Sequence, residues 1–235
     1  MFACRFHIVA VLFVLAGVAP TVAESNPGDC NGVDFDAKQP LRISKIVAAP
    51  RAQFVKSRWE DASCPADTAT CRGKAYLVPG DLALTGATLG PYTCVAYQSP
   101  RDTKQIWTSG WIATSALAPV ERSPARRLSD WTGTWTHTGG EITISAGKKG
   151  ALEIDGEQVY PGAQNVQTGV IGAIAKPEGD MLAFAGDGSV PFDKADAGGD
   201  CLVRMQRFGE LLLVEDNSQC GGVMVTFTGL YRRKK

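Results

Sequence analysis

Residues 201–233 read CLVRMQRFGELLLVEDNSQCGGVMVTFTGLYRR. A cysteine beside two glycines, preceded by Asp-Asn, suits a reactive thiol, an anion-binding loop or a metal site. The flanking residues argue for a stapled hairpin instead. CLVRMQR and LLLVE flank a tight FGE turn at 208–210. Folding them antiparallel about Gly209 sets Cys201 roughly opposite position 217 and brings Cys220 beside it. A disulfide closing a loop of about twenty residues contributes on the order of 3 kcal/mol. Asp216 and Asn217 suit the turn, while Gly221 and Gly222 give it backbone freedom. Val223, Val225, Phe227 and Tyr231 then alternate along an expected closing strand, with Gly229 where the chain bends or packs closely. A glycine-rich phosphate cradle wants a helix directly after it, and a strand pattern follows here. The rim of the loop, Asp216 with Asn217, is what this reading leaves for recognition.

The rest of the cysteine count supports disulfides. Residues 1–23 have the form of an export signal: Arg5 and His7, the apolar run IVAVLFVLAGV at 8–18, then Pro20 and the small residues Thr21 and Ala23. That run is too short to span a bilayer, so cleavage near Ala23 and no stable membrane insertion are expected. Cys4 precedes the apolar run, so the acylated cysteine of a lipoprotein is not expected. Six cysteines then remain: Cys30, Cys64, Cys71, Cys94, Cys201 and Cys220. An even number in an exported chain reads as three disulfides. Cys201 with Cys220 follows from the hairpin; Cys64 with Cys71 closes a short loop, which leaves Cys30 for Cys94. The other pairings of those four stay open at this level.

Removing the signal removes one arginine and no acid, leaving 23 basic residues against 24 acidic. That balance argues against nucleic acid as a partner, because it supplies no electrostatic footprint. The segment PVERSPARRLSD (119–130), with two prolines and a dense run of charges, reads as a linker. The expected organisation is therefore a domain over 24–118, a linker over 119–130 and a second domain over 131–235. Both halves read as β, because short alternating runs recur between Gly, Pro, Asn and Asp clusters and no segment holds a helical apolar period. The expected fold class is all-β, with two small antiparallel barrels.

The segment from Lys74 to Val120 resembles a bacterial SH3-like domain on PGD at 79–81 and GWIATSAL at 110–117. RAQFVKSRWEDASCPADTATC (51–71) lies outside that pattern and reads as an inserted hairpin or loop closed by Cys64–Cys71. The resemblance implies recognition of cell-wall or other peptides through an aromatic surface drawn from Tyr76, Tyr97, Trp107 and Trp111. Tyr76 and Trp111 suit a small core. Trp107, in the polar stretch DTKQIWTSG, and Tyr97 suit a contact surface.

WTGTWTHTGGEITISAGKKGALEIDGEQVY (131–160) resembles the opening strands of an avidin-like or lipocalin-like (calycin) barrel, on GTW at 133–135 followed by EITIS and GALEI. The resemblance implies an up-and-down barrel with Trp135 plugging one end. It does not imply biotin binding: His137 stands where an asparagine is expected, Gly139 and Gly140 replace a serine, and no tryptophan follows Trp135. The last thirty or so residues also resemble the tail domain of exported bacterial proteins, some of which carry a lysozyme-inhibitor-like domain elsewhere; that activity is not implied here.

Little in the chain suggests catalysis. After signal removal His137 is the one histidine, and no G-x-S-x-G elbow is present. Paired cysteines leave no thiolate for a Cys-His site and too few ligands for zinc. Asp180, Asp187, Asp193, Asp200, Glu215 and Asp216 lack calcium-loop spacing. The expectation is an exported, periplasmic or secreted, non-catalytic protein without cofactor or metal. It would contact an envelope protein, peptide or cell-wall component. A small-molecule-binding barrel is the alternative, followed by an enzyme of unrecognised type.

Overall fold

The computed structural model describes residues 26–99, 106–123, 127–162 and 165–235. The expected signal peptide and its cleavage point at Ala23 lie outside them. The chain is all-β, built as two antiparallel sheets.

The first sheet holds β1 (Arg42–Ile46), β2 (Ala52–Val55), β3 (Arg72–Leu77), β4 (Leu82–Leu89), β5 (Tyr92–Gln98), β6 (Trp107–Ala113) and β7 (Leu117–Pro119). Its order is β3-β2-β6-β5-β4-β1-β7. Two disulfides, Cys30–Cys94 and Cys64–Cys71, tie the long excursions to it, in the expected pairing. The stretch expected as an insertion is part of the sheet at its start, because Ala52–Val55 forms β2 and bonds both β3 and β6.

The second sheet holds β8 (Gly133–His137), β9 (Gly140–Ala146), β10 (Leu152–Pro161), β11 (Val166–Ala175), β12 (Met181–Ala185), β13 (Leu202–Phe208), β14 (Leu211–Asp216) and β15 (Gly229–Arg233). Its order, β11-β10-β9-β8-β15-β14-β13-β12, is an up-and-down meander whose first and last strands pair. The result is a nearly closed barrel, open only between its fourth and fifth strands. Its interior is filled by its own side chains, among them Trp131, Trp135, Phe184, Phe227 and Tyr231. Trp135 is fully buried, donates from Nε1 to the Trp131 carbonyl at 3.0 Å, and lies under the Arg233 guanidinium at 4.7 Å.

The 201–233 stretch forms the expected hairpin and bridge. Phe208 pairs with Leu211 around Gly209, whose φ of +66° suits glycine. Cys201 is bonded to Cys220. The ladder places Cys201 opposite Ser218, one residue beyond the sequence-based estimate. The strand expected from Val223 differs: β15 begins only at Gly229. Val223 is 77 % exposed, and Met224 turns the chain with a φ of +68°. The reason is Asp216. Its Oδ1 accepts from the Phe227 and Thr228 amides at 3.0 Å each, and from the Thr226 and Thr228 hydroxyls. Those amides bond a side chain instead of a neighbouring strand.

The glycines beside Cys220 have a structural use. Gly221 bridges to Gly169 of β11, and the Gly222 amide donates to the Thr168 carbonyl at 3.1 Å. A Cβ on Gly169 would lie 2.7 Å from the Cys220 carbonyl oxygen, and one on Gly221 would lie 2.7 Å from the Gly169 Cα. The disulfide-held loop is thus laid against the open edge of the barrel, at a separation only glycine permits.

Both faces of β13 and β14 are buried. Val203, Met205, Leu212 and Val214 face the barrel interior. On the other face, Phe208, Leu211 and Leu213 pack on Leu41, Ile43, Leu84 and Ala96 of the N-terminal half. The two sheets therefore share an apolar seam.

Asp216→Ala removes the common acceptor of four donors, and hydrogen bonds to a charged group contribute about 1.5–3 kcal/mol each. The expected loss of unfolding free energy in a urea titration is about 3 kcal/mol or more; a loss within experimental error would mean that the loop does not depend on this carboxylate.

Candidate functional site

Two clefts open along the seam between the sheets. The first, with a volume of about 330 Å³, is lined on one side by Leu82, Leu84, Ala96, Gln98 and Trp107, and on the barrel side by Thr136, His137, Leu230 and Arg232. The second, about 540 Å³, is lined by Asn31 to Phe35, Trp107, Ser109 and the loop bearing Asp216, Asn217 and Ser218. Trp107 and Ala96 belong to both. The indole is thus a wall that both clefts share.

Strand alternation explains this placement. Leu84 pairs with Ala96, and Gln98 pairs with Trp107, so these four share one face of the first sheet. That face meets the barrel. Trp107 is therefore not the loop residue expected from the sequence; it is the first residue of β6, held in a ladder that runs from Gln98 to Tyr92. The Gln98 amide, directly opposite it, has its Nε2 buried with no hydrogen-bond partner among the described residues.

The other expected site residues fall differently. Tyr97 packs on the core formed by Ile46, Phe54 and Val95, donates from its hydroxyl to Asp81 at 3.4 Å, and with Asp81 lines the first cleft at its edge. Trp111 is fully buried and donates from Nε1 to the Gly28 carbonyl at 3.1 Å, so it is core rather than contact surface. Tyr76 stands outside the core, 50 % exposed on edge strand β3 with Arg51 4.9 Å from its ring centre. The expected exposed rim is corrected as well. Asp216 is buried in its hydrogen bonds, and the Asn217 amide donates to the Ala197 and Asp200 carbonyls at 3.0 and 2.8 Å. Both residues border the second cleft as part of its frame.

His137 closes the end of the barrel beside the first cleft. Its ring stacks on Tyr231 with centres 4.8 Å apart, and Nδ1 is buried without a partner among the described residues. A Cβ at Gly229 would sit 2.5 Å from Nε2, so the ring occupies space that only glycine leaves. Burial lowers its pKa from 6.5 to about 4, because the charged form would lose its hydration. Burial likewise holds the Tyr231 hydroxyl well above its ordinary range.

The remaining acids are dispersed. Glu215 pairs with Arg204, Asp180 with Arg122 and Asp193 with Lys194, while Asp187 and Asp200 accept backbone amides of their own turns. Among the described residues no three His, Cys, Asp or Glu side chains are grouped to hold a metal ion. Nor is any helix there long and apolar enough to cross a membrane. Three disulfides belong to an oxidising environment. Comparisons with family models, curated proteins and solved structures find no match to this chain.

The lowered pKa of His137 gives a signed prediction. The unfolded chain binds the proton more readily between pH 6.5 and about 4, so stability is full above that window and falls as the pH drops through it. At pH 5 the expected loss relative to pH 7.5 is about 2 kcal/mol from this residue alone. His137→Gln should lack that component in paired denaturation curves; equal losses in the two proteins would refute the assignment.

Proposed function

We propose that this chain is an exported, non-catalytic binding protein of the cell envelope, and that it binds through the seam between its sheets, at Trp107. The observation that carries the reading is the position of this indole. It is half-buried, fixed in a strand, and shared by two clefts, the first of which has Leu82, Leu84 and Leu230 in its lining beside Gln98 and Arg232. Concave sites between packed units, lined by aromatics and a few polar groups, are where ligands bind.

The chemistry of the site supports binding over turnover. All six cysteines of the described residues are consumed in disulfides, and His137 is neutral, stacked on Tyr231 and without a partner at Nδ1 among the described residues. The packed barrel interior favours the seam over the barrel lumen as the place for a ligand. The SH3-like and calycin-like resemblances are part of the same proposal. The second is supported by the meander whose first and last strands pair, and by the buried Trp135 at its end.

The test is affinity capture from an envelope extract of the source cells with purified mature protein, beside Trp107→Ala of matched melting temperature. Central aromatic anchors contribute 2 kcal/mol or more to an interface, so capture should fall about thirtyfold. Equal capture by both proteins would exclude the seam as the binding surface.

A further inference from the structure

On the reading that the first cleft is the binding site, the geometry points to its ligand class: we propose that it takes a carboxylate attached to an apolar or aromatic group. What decides the class is which hydrogen-bonding groups of the cleft are already engaged. Its acceptor of highest charge, Asp81, is occupied: Oδ2 accepts from the Val78 amide at 2.9 Å and Oδ1 from the Tyr97 hydroxyl at 3.4 Å. Its donors are not. Gln98 has a buried Nε2 that bonds nothing among the described residues, and a buried donor left unmade costs about 1–3 kcal/mol.

Arg232 stands on the opposite wall. It lies on β15 directly across from Thr136, and its guanidinium is exposed and enters no ion pair among the described residues. Glu141, an acid of neighbouring β9, is taken by Lys234 at 3.2 Å. Gln98 Nε2 and the Arg232 guanidinium are thus two unengaged donors of the cleft, one of them positively charged, and together they call for a ligand with acceptor oxygens. Trp107, Leu82, Leu84 and Leu230 supply apolar surface between the two walls. A volume of about 330 Å³ is at the small end of ligand sites, enough for one ring or aliphatic side chain with its head group.

Two sources share this chemistry: the C-terminal end of a peptide and a free organic acid. Isothermal titration of the mature protein would use acetyl-Leu-Phe with a free carboxylate, the same dipeptide as its C-terminal amide, and phenylacetate. The acid is expected to bind about tenfold more tightly than the amide, as charge-assisted bonds to arginine do. That preference should shrink with added salt, because Arg232 is exposed. Arg232→Gln should abolish it without lowering the melting temperature. Phenylacetate matching the dipeptide acid would identify a small organic acid, and a requirement for the dipeptide would identify a peptide end. Equal binding of acid and amide, a preference that survives Arg232→Gln, or no saturable binding by any probe at millimolar concentration would overturn the proposal. If acid and amide bind equally but Trp107→Ala abolishes both, the ligand class fails and the cleft stands. If Trp107→Ala changes nothing, the cleft itself is the wrong site.

Discussion

The pair Arg204–Glu215 is the constraint from which the arrangement of the two sheets follows. Both side chains are essentially out of solvent, at 3 % and 0 % exposure, and they meet twice: Nε to Oε2 at 3.0 Å and Nη2 to Oε1 at 2.8 Å. The pair also reaches toward the N-terminal half. Arg204 donates to the carbonyls of Asp36, Ala37 and Gln39, and Glu215 Oε1 accepts from the Leu41 amide at 2.8 Å. Gln206 links Glu215 to the Leu41 carbonyl. A buried ion pair roughly breaks even in stability against an apolar replacement, but removing one partner costs about 3–5 kcal/mol. Its contribution here is geometric. It pins residues 36–41 to the outside of the barrel, and β1 follows one residue later.

The seam and its clefts are consequences of that pinning. With Leu41 fixed against β13 and β14, Ile43, Leu84 and Ala96 fall on Phe208, Leu211 and Leu213. The apolar contact covers the middle of the seam. Beyond it Trp107 faces β8 and β15 without filling the space between the walls, and the clefts open on either side of the indole. The linker region is held by the same join: Val120 donates its amide to Ile43, and Ser123 to Arg207. Two further constraints keep the barrel wall in shape. Cys201–Cys220 presses its loop on the edge of β11, and Asp216 collects the amides that follow.

Features set by neighbours in the chain were legible in the sequence. The β13–β14 hairpin, its Cys201–Cys220 bridge and most strand positions follow from alternation, turn residues and loop closure, which are local, whereas the pairing of the other four cysteines stayed open, Cys30 and Cys94 being 64 residues apart. The burial of Trp135 was what the resemblance of GTW to the opening of a calycin barrel implied. Features set by contacts between distant residues were not. Nothing in CLVRMQRF announces that Arg204 and Gln206 face a second sheet rather than water, because partners at 36–41 are more than 160 residues away. The same blindness made Asp216 look like a solvated turn residue and Val223 the start of a strand. Trp107 was expected on a loop, because its polar neighbours hid the β5–β6 ladder that holds it. Gln98 and Arg232 were missed, for only the fold brings them to one cleft.

The claim that the buried pair fixes the two sheets is tested most directly by the distance between them. Spin labels carried on unnatural side chains at exposed Lys74 and Lys148 leave the disulfides intact and report on one sheet each. In the native protein, pulsed electron–electron double resonance should give one narrow distance distribution. Glu215→Gln, which keeps the shape but removes the charge, should broaden it or add a second peak while both sheets stay folded by circular dichroism. A distribution as narrow as the native one, at the same distance, would contradict the account.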